Sequence, residues 1–146
     1  MTKEPSDAAV TAWTRLLRAQ QTAMALVELA LKRAGFPPLA WYDVLLELDR
    51  GPETGMRPFE LERRLLLPQY GLSRLIDRIE AAGYVERRPF DGDGRGQIIL
   101  ISPEGRALRR QIWPVYAEAI KRAVGDRLDD SEARTLADLL AKLTAS

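Results

Sequence analysis

The middle of the chain combines two short helical segments with two strand-like segments, and this order restricts the fold more than any other feature. Residues 58–66 have the pattern of a helix of about two turns, which Leu67 and Pro68 end. From residue 69 to 82, apolar residues recur at the three- and four-residue steps of a helix, and Gly83 follows as its end. Two short helices with a tight break between them are typical of a helix-turn-helix.

An extended pattern begins directly after these helices. Residues 84–88 and 97–101 have the composition of strands, and residues 89–96 between them contain three glycines and two aspartates. The sequence therefore predicts a β-hairpin with a long, exposed tip. A helix-turn-helix followed by such a hairpin, called the wing, is the winged-helix arrangement.

Further helices are predicted on both sides of this region. Residues 6–34 carry apolar side chains at helical spacing, and Gly35 followed by two prolines ends the pattern. At ~1.5 Å per residue this helix is about 40 Å long, more than a domain of this size needs to cover its own core. Residues 39–50 predict a second helix. The long apolar stripe of the first helix favours contact with a partner.

The C-terminal part of the chain has clear helix starts. Ser102 is suited to cap a helix that begins at Pro103 and ends at Gly125. Asp129 and Glu132 have the spacing of a capping box, which predicts the start of a last helix.

The most specific motif lies in the wing. Asp93-Gly94-Arg95, followed after five residues by Ile101-Ser102, resembles the Asp-x-Arg and Leu-Thr motif of the MarR family of bacterial transcription regulators. Residues 73–88 also resemble the recognition helix and first wing strand of that family. The long terminal helices are similar to its dimerisation region, so the resemblance covers nearly the whole chain. Gly96 is a departure, because a second wing arginine is common at that place.

The resemblance implies a mainly α fold with a small β-hairpin wing, in which residues 1–146 form a single MarR-like domain. Residues 37–101 would be the winged-helix DNA-binding region, and residues 6–36 and 102–146 the dimerisation helices. The implied function is a homodimeric transcription regulator, a repressor, that binds a pseudo-palindromic double-stranded DNA operator. A small aromatic effector would release it from that operator.

Six residues are the candidate DNA contacts. The apolar stripe of the second short helix must face the core, which turns its polar side chains outward. Gln can bind adenine, Arg can bind guanine or phosphate, and Ser and Tyr hydroxyls commonly bind phosphate. In the wing, we expect Arg95 to enter the minor groove and Asp93 to orient its guanidinium. The candidates are Gln69, Tyr70, Ser73, Arg74, Arg78 and Arg95. A solvent-exposed face of a structural helix would look similar, and the wing motif is what favours DNA.

Aromatic side chains are the candidates for an effector site. The resemblance implies a small aromatic acid bound between the dimer helices and the winged helix, and the candidate lining residues are Trp13, Trp41, Tyr42, Trp113 and Tyr116. Helical Trp and Tyr residues more often pack in a core or an interface, so both interpretations stay open. Asp43 and Glu47 are interpreted as a solvent-exposed pair and not as half of a metal site.

Composition excludes several kinds of chemistry. The chain contains no Cys and no His, which removes thiol and imidazole catalysis and the usual zinc ligands. We therefore predict that the protein is not an enzyme and binds neither a metal nor a cofactor. No apolar stretch is long enough for a bilayer, and no export signal is present, which predicts no membrane partner and a cytoplasmic, nucleoid-associated protein.

A second hypothesis has the same fold and another partner. The net charge is +1, so any DNA binding must come from locally placed side chains. This near-zero charge and the missing second wing arginine favour a winged-helix protein-interaction module with weak or no DNA binding.

Overall fold

The computed structural model describes residues 3–90 and 96–145, a mainly helical chain with a two-stranded antiparallel sheet. The elements, in chain order, are α1 (Asp7–Arg33), α2 (Leu39–Arg50), α3 (Pro58–Arg64), α4 (Leu72–Ala81), β1 (Val85–Pro89), β2 (Gln97–Ile101), α5 (Pro103–Ile120) and α6 (Asp130–Thr144). A π-helical turn, Lys121–Gly125, continues α5. This order confirms the predicted winged helix with further helices on both sides.

Side-chain caps fix the starts of three helices. The Ser6 hydroxyl accepts a hydrogen bond from a backbone N–H in the first turn of α1. At α5, the Ser102 hydroxyl accepts from the Gly105 N–H at 3.0 Å, and Pro103 occupies the first helical position. At α6, Asp129 and Glu132 accept from each other's backbone N–H at 2.8 and 3.0 Å. The predicted starts of the last two helices are thus confirmed.

The core lies where α1, α2, α4, α5 and the sheet meet. The apolar stripe of α4 faces it, and Leu75, Ile76 and Ile79 are buried there. Large side chains from the other elements complete the core, among them Leu31, Leu45, Leu61, Ile99 and Ile112. This burial confirms that the opposite face of α4 points away from the protein interior.

The wing sheet pairs with an additional residue that the sequence does not predict. β1 and β2 pair from Val85 with Ile101 to Pro89 with Gln97. Met56, just after the predicted loop, pairs with Ile99 through backbone hydrogen bonds of 3.0 and 2.8 Å. Residues 51–55 are therefore followed by an extended residue that fastens the start of α3 to the sheet.

Two predicted helix boundaries are wrong. The second short helix, predicted from residue 69, begins only at Leu72, and Gly71 before it has a non-helical backbone. The first short helix, predicted up to residue 66, ends at Arg64. The helix predicted up to Gly125 does end there, but its last turn, from Lys121, is π-helical, and the Asp126 N–H donates to the Lys121 carbonyl at 2.7 Å.

Among the helices of the two described ranges, none is both long and apolar enough to cross a membrane.

Candidate nucleic-acid interface

The outer face of α4 presents polar side chains to solvent. Ser73, Arg74 and Arg78 are exposed on the side opposite the buried stripe. Gln69 and Tyr70 were predicted to lie on the helix, but they lie in the turn before α4. Gln69 is half-buried there, whereas Tyr70 is fully exposed. The five candidates in the described part of the chain therefore lie along one end and one face of α4.

The charge of this face depends on contacts that Arg87 of β1 makes with α4. The Arg87 guanidinium donates from Nη1 to Asp77 Oδ1 at 2.7 Å and to Glu80 Oε1 at 3.0 Å. Its Nη2 donates to the Ser73 carbonyl at 3.2 Å. These contacts tie β1 to α4, and the single positive charge of Arg87 is shared between the two carboxylates. This cluster was not predicted from the sequence, because a basic residue on a strand has many possible acidic partners.

Arg74 and Arg78 keep their positive charge on the same face. Within residues 3–90 and 96–145 neither of them forms an ion pair. Because Asp77 is bound to Arg87, the guanidinium groups of Arg74 and Arg78 have no carboxylate partner among the described residues. Such a face attracts an anion although the whole chain has a net charge of only +1.

A cleft of about 320 Å³ lies beside the start of α4, and we call it the α2–α4 cleft. Residues from the start of α2, from the turn and from α4 line it: Pro38, Ala40, Trp41, Gln69, Gly71, Arg74, Leu75 and Arg78. It thus joins three of the candidate DNA contacts to Trp41, which the sequence analysis assigned to the effector site.

The aromatic candidates do not form one group. Tyr42, Trp113 and Tyr116 contact one another, with ring centroids 5.1 to 6.4 Å apart. Trp41 instead contacts Tyr84, with centroids 6.2 Å apart. Trp13 is 62% exposed on α1. Within the single chain, the structure therefore brings together Tyr42, Trp113 and Tyr116 and leaves Trp41 and Trp13 apart from them. The sequence already indicated that Trp41 and Tyr42 are separated, because adjacent residues face different sides of a helix.

A second cleft, of about 450 Å³, lies between α2, the turn after α3, and α5; we call it the α2–α5 cleft. Its lining includes two rings of the aromatic group: Leu39, Tyr42, Asp43, Leu46, Glu47, Arg50, Arg64, Leu65, Leu66, Leu67 and Tyr116. Burial raises the pKa of the Tyr116 hydroxyl, and the nearby Tyr42 and Asp43 raise it further. Tyr116 is therefore neutral, and its hydroxyl remains a hydrogen-bond donor at neutral pH.

Asp43 and Glu47 are not the solvent-exposed pair that the sequence predicts. Asp43 is buried, and its two carboxylate oxygens accept hydrogen bonds from the Leu66 and Leu67 N–H groups at 3.1 and 2.8 Å. The Glu47 side chain is 15% exposed, and Arg50 Nη1 lies 4.0 Å from its Oε2. That Oε2 forms no hydrogen bond within the described residues.

Ion pairs hold α2 against α5. The Arg109 Nε donates to Asp49 Oδ2 at 2.6 Å, and Arg106 Nε lies 3.3 Å from Asp49 Oδ1. Burial alone would lower the pKa of Arg109, but its bonds to Asp49 and Tyr42 outweigh burial, and the pKa stands raised. The helix that begins the winged helix is thus fixed to the long C-terminal helix.

At the end of the wing strands nearest the tip, Arg57 takes up the space that Gly96 leaves. The Arg57 guanidinium lies over the Phe90 ring, 4.5 Å from its centroid. A Cβ atom at residue 96 would come within 2.7 Å of Arg57 Nη2, so a larger residue would require Arg57 to move. Asp93 and Arg95, the candidate residues of the wing tip, lie outside the described residues.

Residues 34–96 match a family model described as MarR family. That segment runs from the end of α1 to the wing and contains α2, α3, α4 and β1. Over this segment the chain is similar to the MarR family. The wing motif and the segment 73–88 had indicated a resemblance to this family, and the match confirms that resemblance.

Relatives and solved structures show the same resemblance to MarR family proteins. The multiple antibiotic resistance protein MarR of Salmonella typhimurium is 30% identical over 86 residues, which are 59% of this chain and 60% of that protein. An uncharacterised HTH-type transcriptional regulator of Bacillus cereus is 29% identical over 132 residues, which are 90% of this chain and 85% of that protein. Sco3205, a MarR family transcriptional regulator from Streptomyces coelicolor solved in complex with DNA, has the same fold. Its TM-score is 0.88 at 24% identity, over 98% of this chain and 89% of that one.

Proposed function

We propose that this chain is a MarR family transcription regulator that binds a specific double-stranded DNA operator as a homodimer and represses transcription. The observation that carries the proposal is the outer face of α4, where Arg74 and Arg78 are exposed without an ion-pair partner among the described residues, while the neighbouring Asp77 and Glu80 are bound to Arg87. The DNA complex of Sco3205, which has the same fold, supports it. The protein would act on the nucleoid in the cytoplasm, without catalysis, metal or cofactor.

In this proposal α4 enters the major groove. Ser73, Arg74 and Arg78 would face the duplex from the helix, and Gln69 and Tyr70 from the turn before it. The wing would lie at the adjacent minor groove, with Arg95 inserted and Asp93 orienting it. Arg57 contacts the wing near its tip, through the Phe90 ring, from the residue just before α3.

The homodimer follows from apolar surface that the chain leaves exposed on its terminal helices. Within the described part of α6 no residue is buried. The exposed large side chains are Val10, Trp13, Leu17, Trp113, Ile120, Val124, Leu136, Leu139, Leu140 and Leu143. Each such side chain contributes about 1.5–3 kcal/mol when fully buried. We therefore assign residues 6–36 and 102–146 to the dimer and residues 37–101 to DNA binding.

The test is selection of bound fragments from a random duplex pool with the purified protein. We expect a pseudo-palindrome with half-sites about one helical turn apart, because a two-fold dimer presents two α4 helices roughly 34 Å apart. Arg74→Ala should weaken binding to every duplex. If Arg74 binds a guanine, the variant should also relax one base position, at a cost of about 1–3 kcal/mol.

A pool without enrichment would contradict this proposal. The winged-helix protein-interaction module would then be the better hypothesis. A single asymmetric site would contradict the two-fold dimer while leaving DNA binding intact.

The α2–α5 cleft is the place where we propose that a small aromatic effector binds. It has the volume of a small-ligand site, and Tyr42 and Tyr116 line it, with Trp113 in contact with both. A variant with Trp13→Phe and Trp41→Phe keeps Trp113 as its one tryptophan. Aromatic acids that bind should change its emission in a saturable way and weaken operator binding by the wild-type protein. A panel without either effect would contradict an effector at this cleft.

A further inference from the structure

The α2–α4 cleft places Trp41 on the surface that we assign to DNA. We propose that Trp41 is a DNA-contacting residue whose indole N–H donates to a phosphodiester oxygen of the duplex backbone. The inference rests on the proposed function and adds to it a contact from α2, outside α4 and the wing.

The Trp41 ring is held in place before any ligand arrives. It lies in the first turn of α2, is half-buried, and packs edge-on against Tyr84, with an interplanar angle of 69°. Tyr84 directly precedes β1, so the ring is fixed between α2 and the base of the wing. A side chain that is already ordered loses little conformational entropy when it binds.

The indole N–H is available as a donor. Across residues 3–90 and 96–145 it donates to no side chain or backbone oxygen, and it is not among the buried polar atoms without a partner. An indole nitrogen can only donate, so an acceptor must come from outside the chain. The other polar groups of the cleft wall include the guanidinium groups of Arg74 and Arg78, which are free of ion pairs. Two cations and a neutral donor around one cleft favour an anionic oxygen ligand.

A duplex phosphate is the anion that this position fits. The cleft is continuous with the outer face of α4, since Gln69, Arg74 and Arg78 belong to both. Trp41 of α2 lines this cleft beside Arg74 and Arg78, so a phosphate of a duplex that lies along α4 is within its reach. Contacts to phosphate fix the register of a protein on DNA and carry no base information. Trp41 would therefore position α4 without choosing the sequence.

The first measurement compares Trp41→Phe with wild type on a labelled duplex of the selected sequence and on its scrambled version. Phe keeps a ring against Tyr84 and removes the N–H. We expect about tenfold weaker binding to both duplexes, the same selected motif, and the same dependence on salt, because no charge is lost. Thr54→Ser, at an exposed position of the loop after α2, is the control and should bind both duplexes as the wild type does. Thermal unfolding of each variant shows whether its fold is intact.

The second measurement reports on Trp41 directly. A variant with Trp13→Phe and Trp113→Phe contains Trp41 as its one tryptophan. Its emission should change on saturation with the duplex and stay constant in inorganic phosphate of equal ionic strength. An equal response to phosphate would overturn the assignment to DNA and make the cleft a site for a free anion.

Two other results would also overturn the inference. They are unchanged duplex affinity in Trp41→Phe and unchanged Trp41 emission at saturating duplex. If the wild-type protein itself binds no duplex, the proposed function fails, and this contact fails with it. Normal wild-type binding with an inert Trp41 refutes only the contact.

Discussion

At the scale of single residues, one buried carboxylate holds the turn that leads into α4. Asp43 of α2 accepts the N–H groups of Leu66 and Leu67, in the segment between α3 and α4. Two backbone donors next to the core would otherwise lack partners, which costs about 1–3 kcal/mol for each buried group. Asp43 also lines the α2–α5 cleft, so a ligand there would lie against the residue that holds this turn.

Asp43→Asn should therefore destabilise the protein. The amide has one accepting oxygen in place of two, and its NH₂ group would face a backbone N–H. We expect the free energy of unfolding to fall by about 1–3 kcal/mol, measured by urea denaturation at neutral pH. Glu53→Gln, an exposed site in the loop after α2, is the matched control and should leave the stability unchanged. Equal stability of Asp43→Asn and wild type would show that the turn does not depend on the carboxylate.

The wing arginine is a second prediction for single residues. If Arg95 enters the minor groove, Arg95→Ala should weaken operator binding and leave the selected major-groove motif unchanged. The slope of log K against log salt should flatten by about one unit per wing, hence by about two for a dimer. Asp93→Ala should weaken binding less and keep the slope. Operator affinity is measured by titration at several salt concentrations. An unchanged slope and affinity in Arg95→Ala would refute a role of Arg95 in DNA binding.

At the scale of elements, the sheet and the helix that faces DNA are linked by Arg87. Its side chain is 17% exposed, whereas its partners Asp77 and Glu80 are 62% and 39% exposed. The guanidinium therefore pairs with two carboxylates that face the same solvent as Arg74 and Arg78. Arg87 of β1 offsets part of the negative charge on α4, and the same contacts hold the strand against the helix.

Arg87→Gln should weaken DNA binding although Arg87 itself need not touch the duplex. Release of Asp77 and Glu80 places negative charge near phosphate, and we expect about fivefold weaker binding at low salt, roughly 1 kcal/mol. The difference should shrink as salt screens these exposed charges. Adding Asp77→Asn should restore part of the affinity, as measured by fluorescence anisotropy. Failure of the double variant to recover any affinity would mean that Arg87 contributes by another route.

At the scale of the whole molecule, the chain covers its winged helix and leaves its terminal helices uncovered. α2, α3, α4 and the sheet supply most of the buried core. The described residues of α6 are all exposed or half-buried, and α1 is exposed along its N-terminal half. A second copy of the chain is the partner that we propose for this surface.

Leu139→Glu should therefore dissociate the proposed dimer. Leu139 is 54% exposed on α6, and a buried carboxylate without a partner costs several kcal/mol, more than the leucine contributes. We expect a monomeric mass by light scattering at micromolar concentration and weaker operator binding. Lys142→Gln on the same helix should leave the dimer mass unchanged. A monomeric wild-type protein at this concentration, or an intact Leu139→Glu dimer, would contradict the proposed interface.

Local sequence patterns were enough to predict the helices and strands and many of their boundaries. The starts of α5 and α6 depend on capping residues within three positions of one another, and the buried side of α4 depends on a helical repeat. Such signals act between residues that are neighbours in the chain. The wing and its MarR motif are local in the same way.

Contacts between distant segments could not be predicted in this manner. Asp43 accepts hydrogen bonds from residues more than twenty positions away, and Met56 pairs with Ile99. The burial of Asp43 and the pairing of Met56 therefore depend on how α2, the turn before α4 and the sheet pack together. Trp41 and Tyr42 are adjacent in sequence, yet α2 turns one toward α4 and the other toward α5. Periodicity determined which residues form each element, whereas the packing of elements decided which charges are neutralised and which aromatic rings share a cleft. The physical reason is that hydrogen bonds and ion pairs act over a few ångströms, and only the folded chain brings such partners within that range.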